Sequence, residues 1–176
     1  MDFITPTSLK VLAFFLADPM GEFHEREVLR NVGISKGSAN RILRRFAELA
    51  LLKRNKKGRM VFYRLNADAP FVKQMKVLSN VWELRPFIQE LREGVKKVVL
   101  FGSCAEGTDV AESDIDLLLV TDEKPFMKER ISAFNRQNRR PIAPIIVDLS
   151  EFMKIRKEDK PLFERIDRGI ALWERI

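Results

Sequence analysis

Two acidic residues at the head of an apolar strand constrain this chain more than any other feature. The run is Ser113-Asp114-Ile115-Asp116-Leu117-Leu118-Leu119-Val120. Side chains alternate across a strand, so Asp114 and Asp116 project on one face while Ile115 and Leu117 are buried on the other. Two carboxylates held side by side repel each other unless a cation joins them. Oxygen ligands at that density suit Mg²⁺, which takes one or two carboxylates and completes its shell with water and phosphate. Just upstream, the short apolar strand Val98 to Phe101 runs directly into Gly102-Ser103, with Gly107 following. A glycine lets backbone approach a phosphate, and the Ser103 hydroxyl can donate to it.

A third acid extends the set. Pro144 and the run Ile145 to Val147 read as another buried strand ending in Asp148, which meets the first pair if its strand is a neighbour in the sheet. Three converging carboxylates beside a Gly-Ser bend are what in-line nucleotidyl transfer with two metal ions requires. The segments FGSCAEGTDVAESDIDLLLV and IIVDLS resemble the minimal nucleotidyltransferases of the DNA polymerase beta superfamily. The resemblance covers residues 95 to about 175, including a closing helical tail, Leu162 to Ile166 then Gly169 to Trp173. It implies that Asp114, Asp116 and Asp148 are the metal ligands and catalytic acids, with Asp148 also the general base. It further implies that Gly102 and Ser103 hold the triphosphate, that two Mg²⁺ ions are the cofactors, and that ATP or another NTP is the substrate. Many members carry arginine where this chain has Glu106, so a positive charge near the phosphates is missing. Cys104, the sole cysteine, reads as a small filler; it excludes an internal disulfide and any multi-cysteine zinc site.

Charge divides the chain. Residues 1–92 hold 17 Lys and Arg against 9 Asp and Glu, whereas residues 93–176 hold 15 against 16. A basic block of that kind attracts phosphate backbones through counterion release. Within it, Thr5-Pro6 opens a helix carrying Leu9, Leu12, Phe15 and Leu16. A short helix fits Glu25 to Asn31, Gly33 supplies a turn, and Ser35 is placed to cap a third. In that third helix Ala39, Ile42, Leu43, Phe46 and Leu49 form the apolar stripe, leaving Lys36, Ser38, Asn40, Arg41, Arg44 and Arg45 opposite. Strand-like runs Leu51 to Arg54 and Met60 to Leu65 follow, joined by the basic hairpin Asn55 to Arg59. The segment Phe23 to Leu65 resembles a winged helix-turn-helix, on the phrases ISKGSANRILRRFAELALLKR and KKGRMVFYRLN. The resemblance implies double-stranded DNA as partner. Lys36, Ser38, Asn40, Arg41 and Arg44 would face the groove, and Lys56, Lys57 and Arg59 would act from the wing. His24, the only histidine, is expected to be structural.

Phe71, Met75, Leu78 and Trp82 fall at helical spacing, so residues 70–84 read as an amphipathic helix that Pro86 kinks or restarts. Its stripe could pack on either domain or form a homodimer seam. The expected organisation is therefore α+β: a winged helix-turn-helix over 1–68, a helical connector over 69–93, and a nucleotidyltransferase domain over 94–176 whose mixed sheet is flanked by helices. The longest apolar run, Val11 to Ala17, is far short of the roughly 20 residues that span a bilayer. Asp2 also interrupts any basic leader, so no membrane association and a cytoplasmic location are expected. The leading functional expectation is transfer of a nucleoside monophosphate, AMP from ATP, to a hydroxyl of a protein or other acceptor by a DNA-associated enzyme. The resemblance extends this to an antitoxin role toward a HEPN-type partner. The alternative is a transcription regulator whose second domain only binds nucleotide or dimerises.

Overall fold

The computed structural model describes residues 4–175, so Asp2 lies outside them. The chain divides into two compact units, Met1–Lys73 and Gln74–Ile176.

In the first unit, α1 (Pro6–Ala17) opens on the expected cap. Thr5 Oγ1 accepts from Ser8 N at 3.1 Å, and Ser8 Oγ accepts from Thr5 N at 2.7 Å, so two helix-end donors are satisfied at once. A short strand, β1 (Glu22–His24), then leads into α2 (Glu25–Val32). His24 is the cap of α2: its Nδ1 accepts from Arg26 N at 3.2 Å, and Glu27 Oε2 accepts from His24 N at 2.7 Å. Gly33 closes α2 at φ +71°, where a side chain would be strained. Ser35 caps α3 (Lys36–Glu48), accepting from Ser38 N at 3.2 Å.

Strands β2 (Leu52–Lys57) and β3 (Met60–Leu65) pair antiparallel, with Lys57 opposite Met60. The connection is thus only Gly58-Arg59. The basic residues expected in a five-residue loop are mostly strand, because Gly58 at φ +61° allows a two-residue turn. β1 adds to the far side of β3, giving the order β1-β3-β2. Val11, Leu12 and Phe15 from α1, Val28 from α2, Ala39, Leu43 and Phe46 from α3, and Tyr63 and Leu65 from β3 form the buried interior. Each large apolar side chain among them contributes about 1.5–3 kcal/mol by leaving water.

Helix α4 (Pro70–Leu91) runs unbroken through Pro86, where a kink or restart is expected. Proline lacks the N–H that would bond to the Trp82 carbonyl, but Trp82 is 68% exposed, so water can satisfy that oxygen. From Gln74 onward the helix belongs to the second unit, and Leu84, Phe87, Ile88 and Leu91 are buried in its core. Of the expected stripe, Leu78 and Trp82 are exposed.

The second unit continues with β4 (Lys97–Leu100), α5 (Ser103–Glu106), β5 (Ile115–Val120), α6 (Lys124–Gln137), β6 (Ile142–Val147), α7 (Leu149–Glu158), α8 (Lys160–Asp167) and β7 (Ile170–Glu174). Its mixed sheet has the order β6-β5-β4-β7, with β5 and β6 parallel and the other pairs antiparallel. Ile115, Leu117 and Leu119 face α4 and α6 through Leu84, Leu91, Met127 and Ile131. Leu118 and Val120 face α7 and α8 with Val99, Phe101, Val147 and Ile166. Pro144 is tolerated because β6 is an edge strand. The expected helix over Gly169 to Trp173 is corrected: these residues lead into and form β7 on the open edge of β4. Gly169 explains the change, since a Cβ there would lie 2.5 Å from the Leu100 carbonyl oxygen. The chain can press against β4 only where it has no side chain.

Candidate functional site

The site forms where β4 ends and β5 begins. Phe101 N donates to Asp116 O at 3.1 Å, one step beyond the Leu100–Leu117 pair. Phe101 and Asp116 are therefore cross-strand neighbours on the same face, the one that carries Leu118 and Val120. Gly102 then turns the chain at φ +67° and ψ −154°, a conformation essentially restricted to glycine. A Cβ at Gly102 would lie 2.2 Å from Asp116 Oδ2. The missing side chain is what lets the Asp116 carboxylate lie against the Gly102-Ser103 bend.

Ser103 starts α5 and is half-buried, while Asp114 is exposed immediately before β5. Cys104 lies underneath, fully buried. Burial pushes its thiol up to about 11, which suits a filler rather than a nucleophile. The Asp116 carboxyl is raised above its usual range, first by burial; the nearby Arg165 charge opposes the rise and Asp114 adds to it. Ionising Asp116 is thus costly in the absence of a cation.

Replacing Gly102 by Ala is expected to cost about 1–3 kcal/mol from backbone strain alone, and to expel the Asp116 carboxylate from its place. Chemical denaturation would read the first effect. An unchanged denaturation midpoint would contradict the strained turn.

Asp148 does not join Asp114 and Asp116, and the expectation that it is a third ligand and general base is corrected. β6 runs parallel to β5 with Ala143 opposite Asp116 and Val147 opposite Val120. Asp148 therefore lies five residues farther along, about 16 Å away at the usual strand rise, at the opposite end of the sheet. There it caps α7: its Oδ1 accepts from Glu151 N, and Glu151 Oε2 accepts from Asp148 N, both at 2.9 Å. Lys124 Nζ is 3.0 Å from Asp148 Oδ2. The backbone bond from Glu151 and the contact with Lys124 hold the Asp148 carboxyl below the usual carboxylate range. Ala143 takes the position in register with Asp116, on the face where a third acid would be required. Among the described residues, no three His, Cys, Asp or Glu side chains are grouped to hold a metal ion. The donor set that remains, Asp114 and Asp116, fits one Mg²⁺ that shares its shell with water and phosphate.

Behind the bend is a polar cluster that spacing along the chain did not reveal. Asp109 is buried with Lys76 and Asn80. Its Oδ1 is 3.4 Å from Lys76 Nζ and accepts from Asn80 Nδ2 at 3.2 Å, and its Oδ2 is 3.2 Å from Arg140 Nη2. Arg140 also donates to Asn80 Oδ1 at 3.0 Å, to Cys104 Sγ at 2.8 Å and to Ser113 O at 3.3 Å. The cluster thereby braces both the Gly-Ser bend and the residue preceding Asp114.

In the first unit, Lys36, Arg41 and Arg44 are exposed on α3. Ser38 accepts from Ser35 Oγ at 3.0 Å, and Asn40 Nδ2 donates to Glu25 Oε2 at 2.8 Å. Those two side chains are thus half-buried and engaged within the unit. Ser38, Asn40, Arg41 and Arg44 line a cleft of about 950 Å³ together with Thr5 and Thr7. Lys56 and Arg59 are exposed at the hairpin, whereas Lys57 pairs with Glu22 and stands 5.1 Å over the Phe62 ring.

No helix among the described residues is long and apolar enough to cross a membrane. A protein of Methanocaldococcus jannaschii, named as a candidate protein adenylyltransferase, is 35% identical over 57 residues. The match takes in 32% of this chain and spans 58% of that relative's length. Among solved structures, a candidate nucleotidyltransferase from Sulfolobus solfataricus aligns over 61% of this chain and 92% of its own, at 20% identity and a TM-score of 0.40. A possible transcriptional regulator from Methanosarcina mazei aligns over 51% and 78%, at 18% identity and a TM-score of 0.38. Residues 81–172, more than half of the chain, match the nucleotidyltransferase domain family and contain both carboxylates, the Gly-Ser bend and the whole mixed sheet but for its last two residues; the chain belongs to that family.

Proposed function

We propose that the second unit binds a nucleoside triphosphate with Mg²⁺ and transfers its nucleoside monophosphate, AMP from ATP, to an acceptor hydroxyl. The observation that carries this reading is Gly102, held in a glycine-only conformation with the Asp116 carboxylate in the space a side chain would fill. Asp114 and Asp116 would hold the cation, and Gly102 and Ser103 would take the phosphates. When bound, Mg²⁺ supplies charge neutralisation for the phosphates. The chain's own part is to fix two oxygen ligands beside a bend that lets backbone and hydroxyl reach the phosphate tail. The name of the Methanocaldococcus jannaschii relative favours a protein acceptor, and a HEPN-type partner is one such acceptor.

One observation favours a second reading, a nucleotide-binding regulator without turnover: Ala143 stands in register with Asp116, so the acceptor hydroxyl finds no third carboxylate there. Incubation of the pure protein with labelled ATP, Mg²⁺ and cell extract separates the two. Label passed to an acceptor by the wild type but not by Asp114→Asn supports transfer. ATP held tightly with no label passed supports the regulator.

We further propose that the first unit binds duplex DNA. Support comes from the order helix, strand, helix, helix, hairpin and from the exposed Lys36, Arg41, Arg44, Lys56 and Arg59. Each phosphate contact removed should lower the slope of log affinity against log salt by about 0.9. Replacing Arg41 and Arg44 by Ala should therefore flatten it by about 2 if each meets a phosphate. Binding with an unchanged slope in the double variant would show that α3 does not meet the backbone.

A further inference from the structure

The site as built is strongly acidic. Asp114 and Asp116 open β5, and Glu106 is exposed on α5 four residues past Gly102. A polyphosphate approaching these groups is repelled unless cations outnumber the local acids, and a single Mg²⁺ does not supply that excess. The sheet topology brings one further cation to the place. Helix α8 packs Ile166 into the core against Phe101 and Leu118, so the preceding residue, Arg165, emerges at the rim of the same face. Its guanidinium carbon stands 5.6 Å from the centroid of the Phe101 ring. Phe101 is the cross-strand neighbour of Asp116 and adjoins Gly102. Arg165 is itself exposed and has no ion-pair partner among the described residues, whereas Arg168, the C-cap of the same helix, lies 3.6 Å from Glu164.

We propose that Arg165 is a phosphate-binding residue of the nucleotide site, reaching the polyphosphate tail from α8 while its guanidinium stands over the Phe101 ring. The inference builds on the proposed nucleotide site. An arginine suits the task because its planar fork can stack on an aromatic ring and still present donors to phosphate oxygens. The position suits it too, since the Phe101 ring lies under the guanidinium beside the Gly-Ser bend without consuming those donors.

The test measures affinity of the full chain for Mg²⁺ with ATP and for Mg²⁺ with inorganic tripolyphosphate, which has no base. Wild type, Arg165→Ala, Arg165→Lys and Arg168→Ala are compared. Losing charge-assisted bonds from Arg165 should weaken both ligands by about 10- to 100-fold, with Arg165→Lys between wild type and Ala, and Arg168→Ala unchanged. Arg165→Ala binding both ligands as wild type does would overturn the assignment while leaving the nucleotide site intact. A loss confined to ATP would also overturn it, placing Arg165 at the base. A wild type that binds neither ligand would instead remove the nucleotide site on which the assignment stands. Arg165 is on the surface, so an unaltered unfolding midpoint in each variant separates these results from loss of fold.

Discussion

Replacing Asp116 by Asn is expected to lower Mg²⁺-dependent ATP binding by about 100-fold or more, because even the outer partners of metal ligands are worth about 10- to 100-fold. The same change should leave the protein as stable as before, or more so. Burial raises the Asp116 carboxyl above its usual range, so near neutral pH the ionised group is a burden on the fold when no cation accompanies it. The sign is that of a raised acid: its unfavourable contribution grows as pH rises above the unfolded value and is absent in the neutral amide. Asn keeps the shape that fits against Gly102 and discards the charge. Opposite responses of binding and stability are the signature of a residue retained for a ligand. If Asp116→Asn lost stability and kept Mg²⁺-dependent affinity, the carboxylate would be a structural group and the proposed function would lose its foundation.

Local rules carried the first unit well. Thr5-Pro6, Gly33 and Ser35 announced helix ends because caps act through neighbours three or four residues away. β1 escaped notice since three residues, Glu22 to His24, have too short a period to stand out, and only β3 beside them makes them a strand. In the second unit, Phe101-Gly102 and Asp116 were legible because alternation places Asp116 on one face whatever the tertiary context. The expectation for Asp148 fails for a local reason. Asp148-Leu149-Ser150-Glu151 is itself a capping box, an acid followed three residues later by glutamate, and this competes directly with a ligand role. No such signal marks the strand register that sets Ala143 opposite Asp116, nor the β7 edge, where the absent side chain of Gly169 matters only because the fold brings Val99 and Leu100 against it. Arg165 and the Asp109 cluster are likewise products of topology: residues 76, 80, 109 and 140 meet through the fold and share no periodicity.

That cluster carries the largest expected loss of stability. Asp109 neutralises both Lys76 and Arg140, and side-chain exposures of 5% for Lys76 and 7% for Asp109 leave little water to replace it. Removing one member of a buried ionic set strands the others, at about 3–5 kcal/mol, and a domain holds only about 5–15 kcal/mol in total. Asp109→Ala should therefore shift the chemical denaturation midpoint far more than Glu164→Ala, whose pair is exposed. A double variant, Asp109→Asn with Lys76→Met, relieves the stranded lysine and should recover part of the loss, since members of one network are not additive. The damage should also reach the ligand. Arg140, held by Asp109, donates to Cys104 Sγ and Ser113 O, which flank the Gly-Ser bend and Asp114, so variants that remain folded should bind ATP with Mg²⁺ more weakly. A cost below about 1 kcal/mol, the range of exposed pairs, would mean that water reaches Asp109 and that the bend is braced by backbone alone.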